Sequence, residues 1–190
     1  MKLLLASKSP RRRQLLESLG LPVRFIDIDV DEHDVPAMSA CELPEYLACR
    51  KADAVDRAAL EPDEVVVAAD TVVALRGQAL GKPADRTEAV AMLHALSDSC
   101  HTVYTGVCLQ SISQRQSFTE ATDVFFRRLT DDEVDYYVDR FQPFDKAGSY
   151  GIQEWIGMIG VRRIEGCFYN VMGLPVSSLY ERLSRMSASI

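Results

Sequence analysis

The sequence lacks the signatures of several common protein classes. Only five of its 190 residues are cysteines, an odd number, and none are spaced as Cys-x-x-Cys, which disfavours both a disulfide framework and a zinc site. The histidines show no metal-ligand spacing, and no apolar run approaches the roughly 20 residues of a membrane span. A Gly-x-x-x-x-Gly-Lys-Ser/Thr loop is also missing. We therefore expect a cytoplasmic protein with no membrane segment, outside the P-loop class.

Basic residues are in deficit too. The chain has 21 lysines and arginines against 28 acids, a formal charge of -7, which disfavours nucleic acid as a partner because that partner needs a basic face. The first 13 residues reverse this balance, since they contain no acid and several cations. These cations are Lys2, Lys8, Arg11, Arg12 and Arg13. Such a local concentration suits a small anionic ligand better than a long polyanion.

The order of apolar patterns predicts an α/β protein with a mixed central β-sheet flanked by helices, as two lobes around a cleft, in a single domain over residues 1–190. Strands are predicted at 3–6, 23–28, 65–69 continuing through 71–75, 102–110 and 117–126. Helices are predicted at 10–19, 43–60, 86–96 and 131–140, with a last helix opening at 174–175. Around Glu165-Gly166, the pattern predicts a hairpin between strands at 157–164 and 167–172.

The turn after the first strand has the composition of an anion site. Ser9 is a good N-cap and Pro10 suits the first helical position. The next three residues, Arg11, Arg12 and Arg13, lie at the positive end of the helix dipole, where each cation costs about 0.3–1 kcal/mol. A bound phosphate would justify that cost. The alternative is a solvated face, and one arginine at least must point outward because neighbours on a helix lie about 100° apart.

A lone carboxylate interrupts the most apolar strand. Asp70 follows the β-branched run 65–69 and is costly there unless it has a partner or a chemical role. It is either a functional acid or a structural one bonded to nearby backbone N–H groups. Lys51 lies in an apolar helical stripe, where a lysine either extends to solvent or faces a buried anion. The acidic run 29–34, which contains Glu32, is either a solvated loop or a carboxylate loop for a cation such as Mg²⁺.

These residues together suggest hydrolysis at phosphorus. Cations clamp phosphoryl oxygens, and two carboxylates hold a divalent ion or take a proton from water. The candidate set contains Ser7, Arg11, Arg12, Glu32, Lys51, Asp70 and Lys82, the last on a Gly-Lys-Pro loop.

Four motifs resemble the Maf family of nucleoside triphosphate pyrophosphatases. They are Leu-Ala-Ser-x-Ser-Pro-Arg-Arg at 5–12, Ala-Asp-Thr-Val-Val at 69–73, Gly-Lys-Pro at 81–83 and Asp-Lys-Ala-Gly-x-Tyr-Gly-Ile-Gln at 145–153. Segments 30–32, 48–51 and 171–175 are similar to the family as well. The resemblance covers nearly the whole chain, with the motifs in the expected order.

The resemblance implies cleavage between the α and β phosphates with a divalent metal (Mg²⁺ or Mn²⁺), a fold similar to the inosine triphosphate pyrophosphatases, and often a homodimer. It implies that Asp70 activates water and that Glu32 and Asp70 lie near the metal. It assigns the triphosphate to a set of hydroxyl and cationic side chains. These are Ser7, Arg12, Lys51 and Lys82, with Lys146 of the fourth motif also assigned to substrate binding.

Three further positions resemble specificity markers. Arg11, Thr71 and Gln153 match the branch of the family that takes dTTP and UTP, whereas the 7-methyl-GTP branch has Trp, Gln and Glu there. A glutamine can both donate to and accept from a pyrimidine edge, and a site built for such bonds rejects a base that cannot make them. The alternatives are a 7-methyl-GTP enzyme, a purine enzyme of the inosine triphosphate type, and a protein that inhibits septum formation by binding alone.

Overall fold

The computed structural model describes residues 1–28, 30–31 and 35–187, which form a seven-stranded sheet with helices around it. The strands are β1 (Lys2–Ala6), β2 (Val23–Ile26), β3 (Glu64–Leu75), β4 (Gln78–Leu80), β5 (Cys100–Gln110), β6 (Arg115–Phe126) and β7 (Val161–Glu165). The helices are α1 (Pro10–Glu17), α2 (Leu43–Asp53), α3 (Arg86–Leu96), α4 (Asp131–Phe141), α5 (Trp155–Gly160), α6 (Phe168–Met172) and α7 (Val176–Ser187).

The sheet is mixed, as predicted. Its order is β2-β1-β3-β5-β6-β7, with the short β4 paired to β3. Strand β1 runs parallel to β2 and β3, and the other pairs are antiparallel. Because Ala6 pairs with Ala68 in the parallel ladder, the turn that begins at Ser7 lies beside Asp70, two residues further along β3.

Apolar side chains cover both faces of the sheet. Alternate residues of β1 point to opposite faces, so Leu3 and Leu5 pack with α1 and α7, while Leu4 packs with α2. The second half of β3, from Val73, belongs to a separate cluster with α3, α4 and α5. The two halves of β3 are therefore buried in different apolar clusters, and the cleft lies where these clusters meet. None of the described helices is long and apolar enough to cross a bilayer.

The predicted C-terminal hairpin is wrong. Residues 157–164 divide into the end of α5 and most of β7, and 167–172 contains the helix α6 instead of a strand. Buried Asn170 explains the second difference, because its amide donates to the Val103 carbonyl and the Thr122 hydroxyl. Gly157 explains the first, since a Cβ there would lie 1.9 Å from the Ile152 carbonyl oxygen. Tertiary contacts override the local strand preference here.

Other predictions differ at the ends of elements. Helix α2 ends at Asp53 and not at residue 60, because Asp56 caps a separate 3₁₀ turn, Arg57–Ala59. Helix α1 ends at Glu17, two residues before the predicted end, and β2 ends at Ile26. Strand β4 was not predicted, since its three residues offer too little periodicity to recognise.

Candidate active site

A cavity of about 630 Å³ lies at the junction of the two halves of β3. It is lined by the β1–α1 turn, Lys51 of α2, the middle of β3 and three later loops. Nine of the ten predicted site residues line it: Ser7, Arg11, Arg12, Lys51, Asp70, Thr71, Lys82, Lys146 and Gln153. The tenth, Glu32, lies outside the described residues. The sequence thus brought the right segments together, although the individual roles remain predictions.

The cavity is lined by more cations than acids, although the chain as a whole is acidic. Its described lining includes the cations Lys8, Arg11, Arg12, Lys51, Lys82 and Lys146 and the acids Asp31, Asp70 and Asp145. Six cations face three carboxylates, whereas the whole chain carries a formal charge of -7. A concave surface with this excess concentrates positive potential and attracts a polyanion of matching size. Lys8, Asp31 and Asp145 were not among the predicted residues.

Lys51 and Asp70 form an ion pair in this cavity. The Lys51 Nζ donates to Asp70 Oδ1 at 2.6 Å, and the side chains are 11% and 13% exposed. Of the two possibilities for Lys51, the structure shows that it faces an anion. The pair places an ammonium and a carboxylate in direct contact at one wall of the cavity.

A glycine that sequence reasoning missed brings α2 to this wall. Gly106 of β5 pairs with Asp70, and a Cβ there would lie 2.1 Å from the backbone nitrogen of Glu45 in α2. The Glu45 carboxylate also accepts from the Ser117 and Thr119 hydroxyls of β6, at 2.7 and 2.9 Å. Helix α2 therefore lies directly on the strand next to Asp70. An isolated glycine in a β-branched run is the signal for such a close approach.

The first turn of α1 has the predicted cap and directs Arg12 inward. Ser9 accepts from the Arg12 backbone N–H, as an N-cap should. The Arg12 guanidinium donates to the Gly173 carbonyl and to the Thr71 hydroxyl, both at 2.8 Å. Arg13 points elsewhere and pairs with Asp27 at 2.6 Å. One of the three arginines thus faces away from the cavity, as helix geometry requires.

A second ionic group lines the same cavity. Arg11 contacts Asp145 at 3.1 Å, and Lys146 contacts Asp145 at 2.7 Å and Glu154 at 3.2 Å. Burial opposes ionisation of Asp145, but the hydrogen bonds from Lys146 and Arg11 outweigh it and hold the pKa of that carboxyl below its ordinary value. This group fixes two cations that face the cavity.

Gln153 presents an unused acceptor. Its Oε1 is buried and has no hydrogen-bond partner among the residues that the structure describes. A buried acceptor without a donor costs about 1–3 kcal/mol, so a ligand that supplies an N–H recovers that energy. The amide of Gln153 is therefore suited to reading the edge of a base.

Carboxylate oxygens are the groups in the described part of the cavity that could coordinate a metal ion. Among residues 1–28, 30–31 and 35–187, no group of three or more His, Cys, Asp or Glu side chains forms a metal site. Asp31 and Asp70 nevertheless line the same cavity. Magnesium is often held by one or two carboxylates together with substrate phosphates and water. The two carboxylates, Asp31 and Asp70, therefore fit a divalent ion that binds together with a phosphorylated ligand.

Below the cavity wall, His101 is buried as a neutral side chain. Its Nε2 is 2.7 Å from the hydroxyl of Tyr150, which lines the cavity, and its ring packs edge-on against Phe126 and Tyr150. Burial lowers the pKa of His101 from 6.5 to about 4, against the opposing charge of Asp123. The histidine is structural and helps to hold Tyr150 in place.

This burial predicts a pH-dependent stability. The lowered pKa keeps His101 neutral in the folded state. The stability that this difference in pKa provides is therefore complete above pH 6.5 and is lost as the pH falls towards 4. At about 1.4 kcal/mol per pH unit, the fall from pH 6.5 to 5 should remove about 2 kcal/mol from the free energy of unfolding. Urea unfolding at pH 7 and pH 5 measures this change. His101→Gln does not titrate, so equal losses in the variant and the natural protein would refute the assignment.

Comparison with known proteins places this geometry in a family. The family model described as Maf-like protein matches residues 2–186. A dTTP/UTP pyrophosphatase from Bacteroides thetaiotaomicron is 49% identical over 187 residues, covering 97% of this chain and 96% of that protein. One from Parabacteroides distasonis is 50% identical over 184 residues (96% and 94%), and one from Porphyromonas gingivalis is 46% identical over 192 residues (99% and 96%).

Among solved structures, the Staphylococcus aureus Ham1 protein is similar with a TM-score of 0.48 and 15% identity, over 66% of this chain and 72% of that one. The family assignment rests on the sequence matches instead, which extend almost from end to end and include every motif identified above. The chain belongs to the Maf family, as its sequence motifs predict.

Proposed function

We propose that this protein hydrolyses dTTP and UTP to the nucleoside monophosphate and pyrophosphate. Relatives that are 46–50% identical over nearly their whole length carry the name dTTP/UTP pyrophosphatase. The observation that carries the proposal is structural. A single cavity contains the Lys51–Asp70 pair, an excess of cations and the unpartnered acceptor of Gln153.

The cationic walls suit the triphosphate. Arg12 is aligned by two hydrogen bonds at 2.8 Å, and Lys82 is exposed at the cavity rim. Arg11 and Lys146 also line the cavity, and both are held by Asp145. Cations fixed before the substrate arrives stabilise the charge that develops on phosphoryl oxygens without reorganising during the reaction.

Asp70 is positioned to accept a proton from water. In the proposed step, water oxygen bonds to the α phosphorus, the bond to the α–β bridging oxygen breaks, and pyrophosphate leaves. The proton released by water passes to Asp70, which lies on β3 and lines the same cavity as the cations. Lys51 orients the carboxylate through their 2.6 Å hydrogen bond, and it can contact a phosphate oxygen from the same place.

A divalent cation, Mg²⁺ or Mn²⁺, would be held by Asp70 together with Glu32 and the substrate phosphates. When bound it supplies Lewis-acid stabilisation of the leaving pyrophosphate. Asp31, which belongs to the acidic run 29–34 and lines the cavity, is a further candidate ligand. The homodimer stays a prediction of the family resemblance, and the cytoplasmic location stays a prediction of the cysteine pattern.

A substrate panel tests the proposal. With Mg²⁺ or Mn²⁺, the purified protein should release pyrophosphate from dTTP and UTP, and a chelator should abolish the release. Faster turnover of 7-methyl-GTP or ITP would reassign the base specificity. No release from any nucleoside triphosphate would leave binding alone as the function.

Gln153 should determine base recognition. Uracil and thymine present an N3–H donor beside the O4 acceptor, which matches the acceptor and donor of one amide. Gln153→Ala should therefore lower kcat/KM for UTP by roughly 10- to 100-fold, the value of one or two hydrogen bonds in a dry site. 3-Methyl-UTP, which lacks the N3–H, should be a poor substrate for the natural protein and should be affected little by the substitution. An equal loss for both nucleotides would contradict this role.

A further inference from the structure

A buried tyrosine closes the turn that carries Gln153. The Glu154 backbone N–H donates to the Gly151 carbonyl at 3.0 Å, which defines a four-residue turn. The Tyr137 hydroxyl of α4 accepts from the Gly151 N–H at 3.0 Å and donates to Glu154 Oε2. Both ends of the turn are therefore joined twice, once through the backbone and once through a single phenolic oxygen.

The direction of these hydrogen bonds is fixed. Tyr137 is fully buried, and its ring stacks on Phe141 with a centroid separation of 5.1 Å. Burial, and then the hydrogen bond to Glu154, raise the pKa of Tyr137, so the hydroxyl stays protonated. A phenol has one proton, which goes to the carboxylate, and its oxygen is left to accept from the Gly151 N–H.

The turn has little freedom to shift. A Cβ on Gly151 would lie 2.8 Å from the carboxyl carbon of Glu154, so the carboxylate packs directly on the backbone at the start of the turn. Its other oxygen lies 3.2 Å from the Nζ of Lys146, whose side chain is 8% exposed. The Glu154 side chain thus packs against Gly151, at the start of the turn that carries Gln153, and also pairs with Lys146, a cation that lines the cavity.

We infer that Tyr137 and Glu154 are positioning residues that set the orientation of Gln153 for base recognition. This inference rests on the proposed function, because it concerns how that site selects a base. Neither side chain needs to touch the nucleotide. A glutamine amide on an unfixed turn would sample several directions, and the loss of alignment would weaken hydrogen bonds to the base edge more than contacts to the phosphates.

The test uses Tyr137→Phe, which keeps the buried ring and removes only the hydroxyl. The measured quantity is the ratio of kcat/KM for UTP to that for 3-methyl-UTP. We expect the ratio to fall about tenfold, through a higher KM for UTP and with kcat changed less than about twofold. Glu154→Ala should lower the ratio by a similar factor, because the Tyr137 proton then loses its acceptor.

A double substitution separates positioning from general damage. If Tyr137 acts through Gln153, adding Tyr137→Phe to Gln153→Ala should leave the ratio unchanged, so the two effects are not additive. Glu133→Gln is the matched control, since it removes from the same helix α4 the charge that pairs with Arg127, away from the cavity, while glutamine keeps the capping box. It should lower stability and leave the ratio as it is.

The possible outcomes are distinct. The inference is overturned if Tyr137→Phe keeps the ratio of kcat/KM values of the natural protein, or if Glu133→Gln lowers that ratio as much as Tyr137→Phe does. In either case UTP hydrolysis by the natural protein still stands. An additive effect in the double variant also overturns it. Failure of the natural protein to turn over UTP or dTTP overturns the proposed function and this inference with it.

Discussion

Asp70→Asn should abolish most UTP and dTTP hydrolysis, with kcat lowered by about 10²- to 10⁴-fold, the usual contribution of a general base. The amide has nearly the same shape, so β3 and its ladder to β5 stay in place. What is lost is the proton acceptor and a negative charge 2.6 Å from the Nζ of Lys51.

Nucleotide binding should respond in the opposite direction. The carboxylate of Asp70 competes with phosphate oxygens for Lys51, so its removal leaves that ammonium, 11% exposed, without its anionic partner on β3. A buried cation in this position gains more from a phosphate than it did before. Calorimetry with a chelator present, which prevents turnover and removes any metal that Asp70 would hold, should show Asp70→Asn binding UTP at least as tightly as the natural protein.

Asp53→Asn is the matched control for that experiment. It removes a carboxylate from α2, the helix of Lys51, but its partner is Arg115 outside the cavity. Turnover by this variant should be unchanged. If Asp70→Asn keeps more than about a tenth of the natural kcat, another group activates water and the proposed role of Asp70 is wrong.

The sequence located the cavity because its residues belong to short motifs that can be recognised along the chain. Ser7 directly follows β1 and Asp70 lies within β3, and the parallel register of these two strands brings them close together. Helix geometry was also a reliable guide for α1, since Arg11 and Arg12 line the cavity while Arg13 pairs with Asp27, although the phosphate that would bind there stays a prediction. In these cases local chemistry and the fold agree.

The sequence was misleading where distant contacts decide the structure. Segment 167–172 has the composition of a strand, yet Asn170 reaches 67 and 48 residues back along the chain to donate hydrogen bonds that fix a helical turn. Tyr137 has the pattern of an ordinary core residue on α4, and only the folded chain brings its hydroxyl to Gly151. Such contacts leave no short-range pattern, so no motif could have revealed them.

Gly106 carried a sequence signal that was missed, and its close contact with α2 predicts a large structural effect. Gly106→Ala would place a methyl group 2.1 Å from the Glu45 nitrogen, 2.2 Å from the Pro44 carbonyl carbon and 2.4 Å from the Glu45 Cα. All three atoms are backbone, so no side-chain rotation relieves the overlap. Either α2 or β5 must move by roughly an ångström, because close-packed interiors have no space to absorb an added methyl.

The displacement should affect stability and catalysis together. Overpacking of this kind costs about 1–3 kcal/mol and more when backbone must shift, so we expect a loss of about 3 kcal/mol in the free energy of unfolding. Catalysis should fall further, because the movement separates Lys51 on α2 from Asp70 on β3, and misplacement by about 1 Å can cost roughly 10²-fold in rate. Urea unfolding and kcat for UTP at a temperature where the variant is folded measure the two effects separately.

Gly160→Ala supplies the comparison, because it adds the same methyl group where the nearest atom is the Cδ2 of Leu129, 3.1 Å away at the end of a side chain. That side chain can rotate, so the variant should be slightly less stable and keep its natural kcat. If Gly106→Ala has the same urea midpoint and the same kcat for UTP as the natural protein, α2 does not depend on this contact for its position. If it loses stability but keeps its full kcat, the contact stabilises the fold without aligning Lys51. Loss of both is the expected result, since the strand that pairs with Asp70 is the same strand on which the Lys51 helix lies.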